Sequence, residues 1–434
     1  MWLELLFIAQ AGPLQEIVDR ARPGDVVRLA PGVYRERIEI TRPITLEGAG
    51  RVVIDGAGQG SVVRVTSAPG VTLRGLTVRG SGDSLTAMDA GIVFENSPGS
   101  VVEDCRIEDS LFGLQVMNSP NGRFKRLAIR GKDIDMPRRG DGVRVWYSDG
   151  VALEQIDMAD SRDFIIWFSR NTSVRSCRVS RSRYGLHYMY TDDNRFEGNV
   201  LTDNRVAGAI MYSHRLRLAG NRFERSRGVH AYGLLLKDAD DVMIEGNEFV
   251  DNTTGLFFDN SPSSEDASVT VRRNLFAFCD EGVGLMPSTR RVRFESNTFL
   301  DNLSHVTLQG ATESPKNDWE GNYWSDHVAY DLDGDGVGDV AYEPRSLYEN
   351  LTGRHPELAL LRFSPSVTAI ELAGEMFPVS RGDLKLRDPR PAMRPPFLPK
   401  ADGAAGVGVS ILAIAAALLT LPIAGLIWAR RALQ

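Results

Sequence analysis

His187, His214 and His230, half of the six histidines in this 434-residue chain, share one stretch with Met189 and Met211. Imidazole and thioether ligands together suit copper, and thioether sulfur favours the cuprous ion. Met189 and Met211 each lie ten residues before an asparagine, Asn199 or Asn221, that recurs in matching surroundings. Residues at the same point of a repeat stack on adjacent turns. The two methionines should therefore lie one above the other, and so should Tyr190 and Tyr212. His187, Met189, Met211, His214 and His230 are the candidate copper ligands. The plainer alternative is that both methionines fill the core while the tyrosines pack outside. Parity along a strand does not decide between the two faces.

A second cluster is acidic. In the run from Gly321 to Pro344, Asp331, Asp333 and Asp335 take positions 1, 3 and 5 of a calcium-loop pattern, with Gly336 at the sharp turn and Asp339 at position 9. Tyr342 stands where the bidentate glutamate is expected, with Glu343 one residue later. Carboxylates this close repel unless a cation or water separates them, so the loop reads as a calcium site or as a solvated acidic turn. A third group, Asp192, Asp193, Lys237 and Asp238, has the residue types of carbohydrate acid–base chemistry. It forms loop-like clusters and matches no acid–base motif.

The elements that position these residues announce themselves as a repeat. FEGNVL, LAGNRF, IEGNEF, VRRNLF and FESNTF centre on Asn199, Asn221, Asn247, Asn274 and Asn297, spaced 22, 26, 27 and 23 residues apart. Alternating apolar residues flank each asparagine. A polar turn follows, and a glycine (Gly208, Gly233, Gly255 or Gly282) leads into another apolar strand. Period-two alternation without helical spacing predicts an all-β fold, a right-handed parallel β-helix solenoid of about twelve coils from Val33 to Trp324. One coil cannot bury its own inward face, whereas coils stacked about 4.8 Å apart pair every strand and form a continuous interior. An inward asparagine at one corner of each coil can bond its neighbours above and below, so the asparagine series is structural. Cys105 and Cys177 take the ladder position in VEDCRI and VRSCRV. They stand three coils and roughly 14 Å apart, too far for a disulfide, and read as inert core thiols.

Arg130 to Gly140 has no repeat pattern and should be a loop ejected from the stack. Leu14 to Ala21 has helical spacing and precedes strands separated by Pro-Gly turns, as expected of an N-terminal cap over the open end of a solenoid. Residues 1–11 read as a signal peptide, with the solenoid over 12–325. An acidic loop, a short helix from Ser364 to Phe377 and a stiff Pro-rich linker fill 326–402. Ala404 to Trp428 is uncharged and long enough to span a bilayer; Arg430 and Arg431 behind it place the large domain outside the cytoplasm. The helix either lies on the solenoid or docks on a membrane partner. The net charge of −7 gives no general reason to expect nucleic-acid binding, and three cysteines leave at least one unpaired.

The run Ala21 to Tyr34, with its Pro-Gly turns, resembles the start of pectate-lyase-like β-helices. R-Y-G-L-H-Y-M-Y-T-D-D-N-R-F at 183–196, R-G-V-H-A-Y-G-L-L-L-K-D at 227–238 and N-Y-W-S-D…Y-D-x-D-G-D-G-V-G-D further on together resemble the NosD family, periplasmic maturation proteins of nitrous oxide reductase. The resemblance covers roughly residues 14 to 380, with three motifs in order. It implies a non-enzymatic periplasmic protein that works with the ATPase and permease of an ABC transporter. The implied role is copper delivery for assembly of the copper–sulfur centre of nitrous oxide reductase, alongside a copper chaperone lipoprotein. The C-terminal membrane helix is a departure that not all family members need share; it would anchor this chain in the inner membrane beside its transporter. The competing readings are a polysaccharide lyase, hydrolase or epimerase on the same fold, and a surface binding module.

Overall fold

The structure, a computed structural model, describes residues 7–8, 13–309, 316–328, 330–361, 364–377 and 382–398. From Val26 to Trp324 the chain winds a right-handed parallel β-solenoid of about 13 turns, one more than the repeat count predicts. The asparagine series marks only the turns from Asn199 on; the earlier turns carry Cys105, Leu127, Ile156 and Cys177 at that position. Each turn lays one strand on each of three faces. One face is a sheet of twelve parallel strands, from Ile38–Ile40 to Ser304–Leu308; it is called the first sheet below. The second and third faces are built by the paired short strands that follow it, such as Arg195–Glu197 and Val200–Thr202.

Burial follows the alternation of the sequence. Leu186 and Tyr188 point into the axial core with their counterparts on every turn, while the residues between them face outward. Inside, Phe223, Phe249, Phe276, Phe299 and Trp324 stack in a column with successive ring centroids 4.3 to 5.0 Å apart. At Gly255 the backbones come so close that a Cβ would sit 2.6 Å from the carbonyl oxygen of Gly282 on the next turn, which only glycine permits.

Polar ladders hold all three corners. Between the second and third faces, the backbone N–H and the side-chain amide of Asn199, Asn221, Asn247, Asn274 and Asn297 donate to the side-chain oxygen one turn on, at 2.8 to 3.0 Å. The ladder runs on to Asn322. Cys177 extends it upstream, its N–H donating to Asn199 at 2.8 Å. The register passes from Cys105 through Leu127 and Ile156 to Cys177, so three turns separate the two thiols. Both are buried, and burial pushes them up to about 12. Two further ladders occupy the other corners, one of them on the asparagines that end the polar turns TDN, VDN and LDN. Ser97, Ser119, Ser148 and Ser169 link the corner after the first sheet. Asn204, Asn252 and Asn302 serve the corner before it.

Both ends are closed. Helix α1 (Leu14–Arg20) buries Leu14 and Val18 over the first turn, and its free N–H groups are met by the Glu36 carboxylate. At the far end the chain after Trp324 folds back. Tyr342 stacks on Trp324 at 4.3 Å, continuing the aromatic column. The buried Asp388 accepts from the N–H of Asn322 at 3.0 Å, its amide at 3.0 Å and the Trp324 indole at 3.2 Å, ending the ladder on a carboxylate. Helices α2 (Leu347–Arg354) and α3 (Pro365–Met376) pack together, with Glu371 of α3 accepting from the first N–H groups of α2. The predicted helix over 364–377 is thus present and leans on its neighbour.

The Pro-rich stretch is a correction. It returns to the last turns instead of leading away as a spacer: Ala392 N–H bonds Asn322 O at 2.9 Å, and Phe397 O accepts from Thr298 at 2.7 Å. Phe7–Ile8 pairs with Val27–Arg28 as an added strand; the rest of the predicted signal peptide lies outside the described residues. The predicted membrane span 404–428 does as well. Among the described residues no helix is long and apolar enough to cross a membrane.

Candidate functional site

The motif residues around 183–214 fall on the outer surface of the first sheet and on the corner that follows it. Strand Tyr184–Met189 pairs with Val206–Met211 so that Met189 sits directly beside Met211 and His187 beside Ala209. His187 and Met189 are two residues apart on one strand and share its outward side, about 6.6 Å apart along the chain, with Met211 one turn on at about 4.8 Å. Three of the five candidate ligands are therefore neighbours. Both methionines are half-buried and neither belongs to the axial core, which decides against the core-filler alternative.

His187 is the unusual member. It is 7% exposed, wedged edge-on to Trp167 at 5.3 Å and against Tyr184 at 4.8 Å, and neither ring nitrogen has a hydrogen-bond partner. Burial pushes its pKa down to about 4, and Arg183 pushes it further, against the opposing pull of Asp163. The ring is neutral at physiological pH and its lone pair is uncommitted.

The other two histidines are elsewhere. His214 lies beyond the corner, its Nδ1 2.9 Å from Asp192 and its Nε2 3.8 Å from Asp240, one turn to either side. His230 is exposed in the loop before Tyr232, whereas Met211 pairs with Lys237 at the other end of that strand, about 17 Å along it.

The row that holds the methionines continues upstream through Trp167 and Trp146. Trp167 stands ten residues before Cys177, so the count that located Met189 and Met211 would have found it had the cysteine served as a marker. The Arg144 guanidinium lies 4.2 Å above the Trp146 ring. Behind these residues two buried carboxylates sit on adjacent turns: Asp141 accepts from Arg162 at 2.9 Å and Asp163 from Arg183 at 3.0 Å. Burial and the neighbouring Asp163 raise Asp141 to about 6, against the pull of Arg162 and Arg144. At the corner, Tyr190 and Tyr212 stack at 5.0 Å as their spacing predicts, and the stack runs on to Phe168 and Tyr147.

The side chains with carbohydrate chemistry are committed to ion pairs. Lys237 meets Asp259 at 2.7 Å, Asp193 meets Arg215 at 2.7 Å, and Asp192 takes His214. Asp331, Asp333 and Asp335 bring their oxygens within 4.8 Å of one another in the exposed loop. Asp331 accepts from Gly334 and Gly336, and Asp339 folds back to accept from Leu332 at 2.7 Å. Tyr342 is not free to act as a ligand, being stacked in the end cap.

The profile of a family described as periplasmic copper-binding protein (NosD) matches residues 125–329, which hold the whole His/Met patch. A protein of Pseudomonas aeruginosa named probable ABC transporter binding protein NosD is 30% identical over 418 residues, covering 90% of this chain and 93% of that protein. The chain belongs to the NosD family. A NosD of the same name from Stutzerimonas stutzeri is 28% identical over 85% of this chain and 87% of its own length. Outside the NosD family the likeness is of fold alone. The A-module of the Azotobacter vinelandii mannuronan C-5 epimerase AlgE6 superposes with a TM-score of 0.58 at 17% identity, over 71% of this chain and 93% of that module.

Proposed function

We propose that this chain is a non-enzymatic periplasmic partner of an ABC transporter ATPase and permease that carries copper for assembly of the copper–sulfur centre of nitrous oxide reductase. In this reading copper is cargo, received from a copper chaperone lipoprotein and held as Cu(I) by His187, Met189 and Met211. The observation that carries it is the buried, neutral, unpartnered imidazole of His187 beside two methionines on adjacent turns. Leaving a buried donor or acceptor unmade costs about 1–3 kcal/mol, so a ring kept in that state is poised for a ligand from outside the chain. Two thioethers and one imidazole form a soft set suited to Cu(I). His214 and His230 stand apart from this set and are assigned no copper role.

Anaerobic titration with Cu(I) against a chromogenic chelator tests this. The parent protein should take up copper, His187→Leu should lose most of it, and Met189→Leu with Met211→Leu together should weaken it at least about tenfold, the loss of about 1.4 kcal/mol. His187→Leu should also raise the melting temperature of the copper-free protein, because it removes an unsatisfied buried polar ring. Copper uptake unchanged in all variants sinks the assignment. The acidic loop is proposed to hold Ca²⁺ through Asp331, Asp333, Asp335 and Asp339. Adding Ca²⁺ after chelator treatment should then raise the melting temperature of the parent but not of Asp331→Asn. An equal response in both discards the site.

A further inference from the structure

Where the third face turns into the first sheet, side chains of alternating charge stack on successive turns: Asp160, Arg181, Asp203, Arg225 and Asp251. Arg181 grips Asp160 with both arms of its guanidinium at 2.8 and 2.7 Å, and Arg225 grips Asp203 at 2.8 and 3.0 Å. Paired forks of this kind spend the charge of the arginine. A groove of about 620 Å³ runs beside the column, and Arg139 from the loop at 132–139 and Arg205 also line it. Neither forms an ion pair among the described residues. Arg139 gives its Nε to Ile134 O at 2.8 Å and an Nη to Arg181 O at 3.3 Å. Arg205 reaches only the carbonyl of Val229, at 3.5 Å.

We propose that this groove receives an extended acidic segment of a partner protein, with two carboxylates within about four residues. The length follows from the fold. Asp160 to Arg225 spans three turn spacings, about 14 Å, which an extended chain covers in about four residues. The charge follows from the two guanidinium groups that form no ion pair, whose planar forks match carboxylates. The floor is already satisfied, because Ser182 N–H is held by Asn204, so it does not compete for the occupant. The lip is open: Val229 is 75% exposed, and a Cβ on Gly228 would meet nothing within 4 Å. This surface lies at the opposite end of the first-sheet strands from Met189 and Met211, and the proposal does not depend on copper.

Fluorescence anisotropy of the full-length protein with labelled hexaglutamate tests it. Hexaglutamate should bind, and binding should weaken several-fold between about 50 and 300 mM salt as exposed charges are screened. Arg139→Ser with Arg205→Ser should weaken it about tenfold, while Arg139→Lys with Arg205→Lys, which keeps the charge, should lose less. Because the arginines have no ion pair to lose and bond only carbonyls at the exposed rim of the groove, the serine variant should melt within a few degrees of the parent. The proposal is overturned if hexaglutamate binds parent and serine variant alike. It is also overturned if the variant instead loses binding to phosphatidylglycerol vesicles, or loses self-association of this chain, without a change in hexaglutamate affinity.

Discussion

Burial of the His187 imidazole, on the outward side of the first sheet, and of the Asp141 carboxyl, just before strand Val143–Trp146, moves their pKa values in opposite directions. The neutral form is favoured in each, the base by a lowered pKa and the acid by one raised to about 6. For Asp141 the consequence for stability has a definite sign. Its folded pKa exceeds its unfolded value, so its contribution is present in full below about pH 4 and is lost as pH rises through about 6. A shift of this size corresponds to about 3 kcal/mol. Asp141→Asn does not titrate. Its unfolding free energy relative to the parent should therefore move in its favour by about that amount between pH 4 and pH 7, measured by denaturant melts. A difference that stays constant across this range would mean that the carboxyl titrates normally. The site was only partly legible at this scale. Spacing from the asparagines was enough to bring His187, Met189 and Met211 together. Trp146 was missed because its turn carries Ile156 at the marker position; Trp167 was open to the same count from Cys177, but the count was made from asparagines alone.

Single residues in this fold act through the columns they belong to. Asn247 makes sense only between Asn221 and Asn274, and the asparagine motif was readable because each turn needs the same amide at the same corner. The serine ladder at the next corner was not read, because serine is common in turns for many reasons; yet Ser97, Ser119, Ser148 and Ser169 each stand three residues after a core residue, Phe94, Val116, Val145 or Ile166, and that spacing could have found them. The end of the asparagine ladder was equally hidden. Asp388 lies 66 residues beyond Asn322 in sequence, yet it receives that residue's backbone and side-chain donors. Asp388→Ala should cost about 2–4 kcal/mol, because the Asn322 backbone N–H and the Trp324 indole lose their acceptor and the Asn322 amide loses one of its two. Hydrogen exchange of the last turns, Asn297 to Trp324, should rise in this variant while the turns around Cys105 stay protected. Uniform acceleration along the whole solenoid would contradict a local cap.

A stack of turns with two closed ends is the shape in which these columns become one molecule. The chain after Trp324, read from sequence as a loop, a helix and a spacer, is in large part a lid: Tyr342, Asp388 and the 391–397 stretch lie on the last turns. Removing everything after residue 328 should expose strand edges and the Trp324 ring together, and such ends pair with one another. The truncated protein should elute in size-exclusion chromatography as larger assemblies than the parent; a truncation that elutes no larger than the parent would show that the lid is dispensable. The fold class, the ladder and the N-terminal helix could be read in advance because they repeat or follow local periodicity. The lid could not, since its contacts join residues distant in sequence and recur nowhere.

In the asparagine ladder each side-chain oxygen faces the preceding turn and one amide N–H reaches to the next, while the other N–H returns to a backbone carbonyl of the preceding turn; the series of oxygens finishes on a negative charge at Asp388. The rod therefore has an electrical polarity like that of a helix, with the anion seated at its electropositive end. It also has a modular grammar. Because each link offers its neighbour the same acceptor, a whole turn inserted or deleted between Asn199 and Asn297 would leave the terminal anion facing the same donors. Length can therefore change by one whole turn at a time, the increment that keeps the line of dipoles whole.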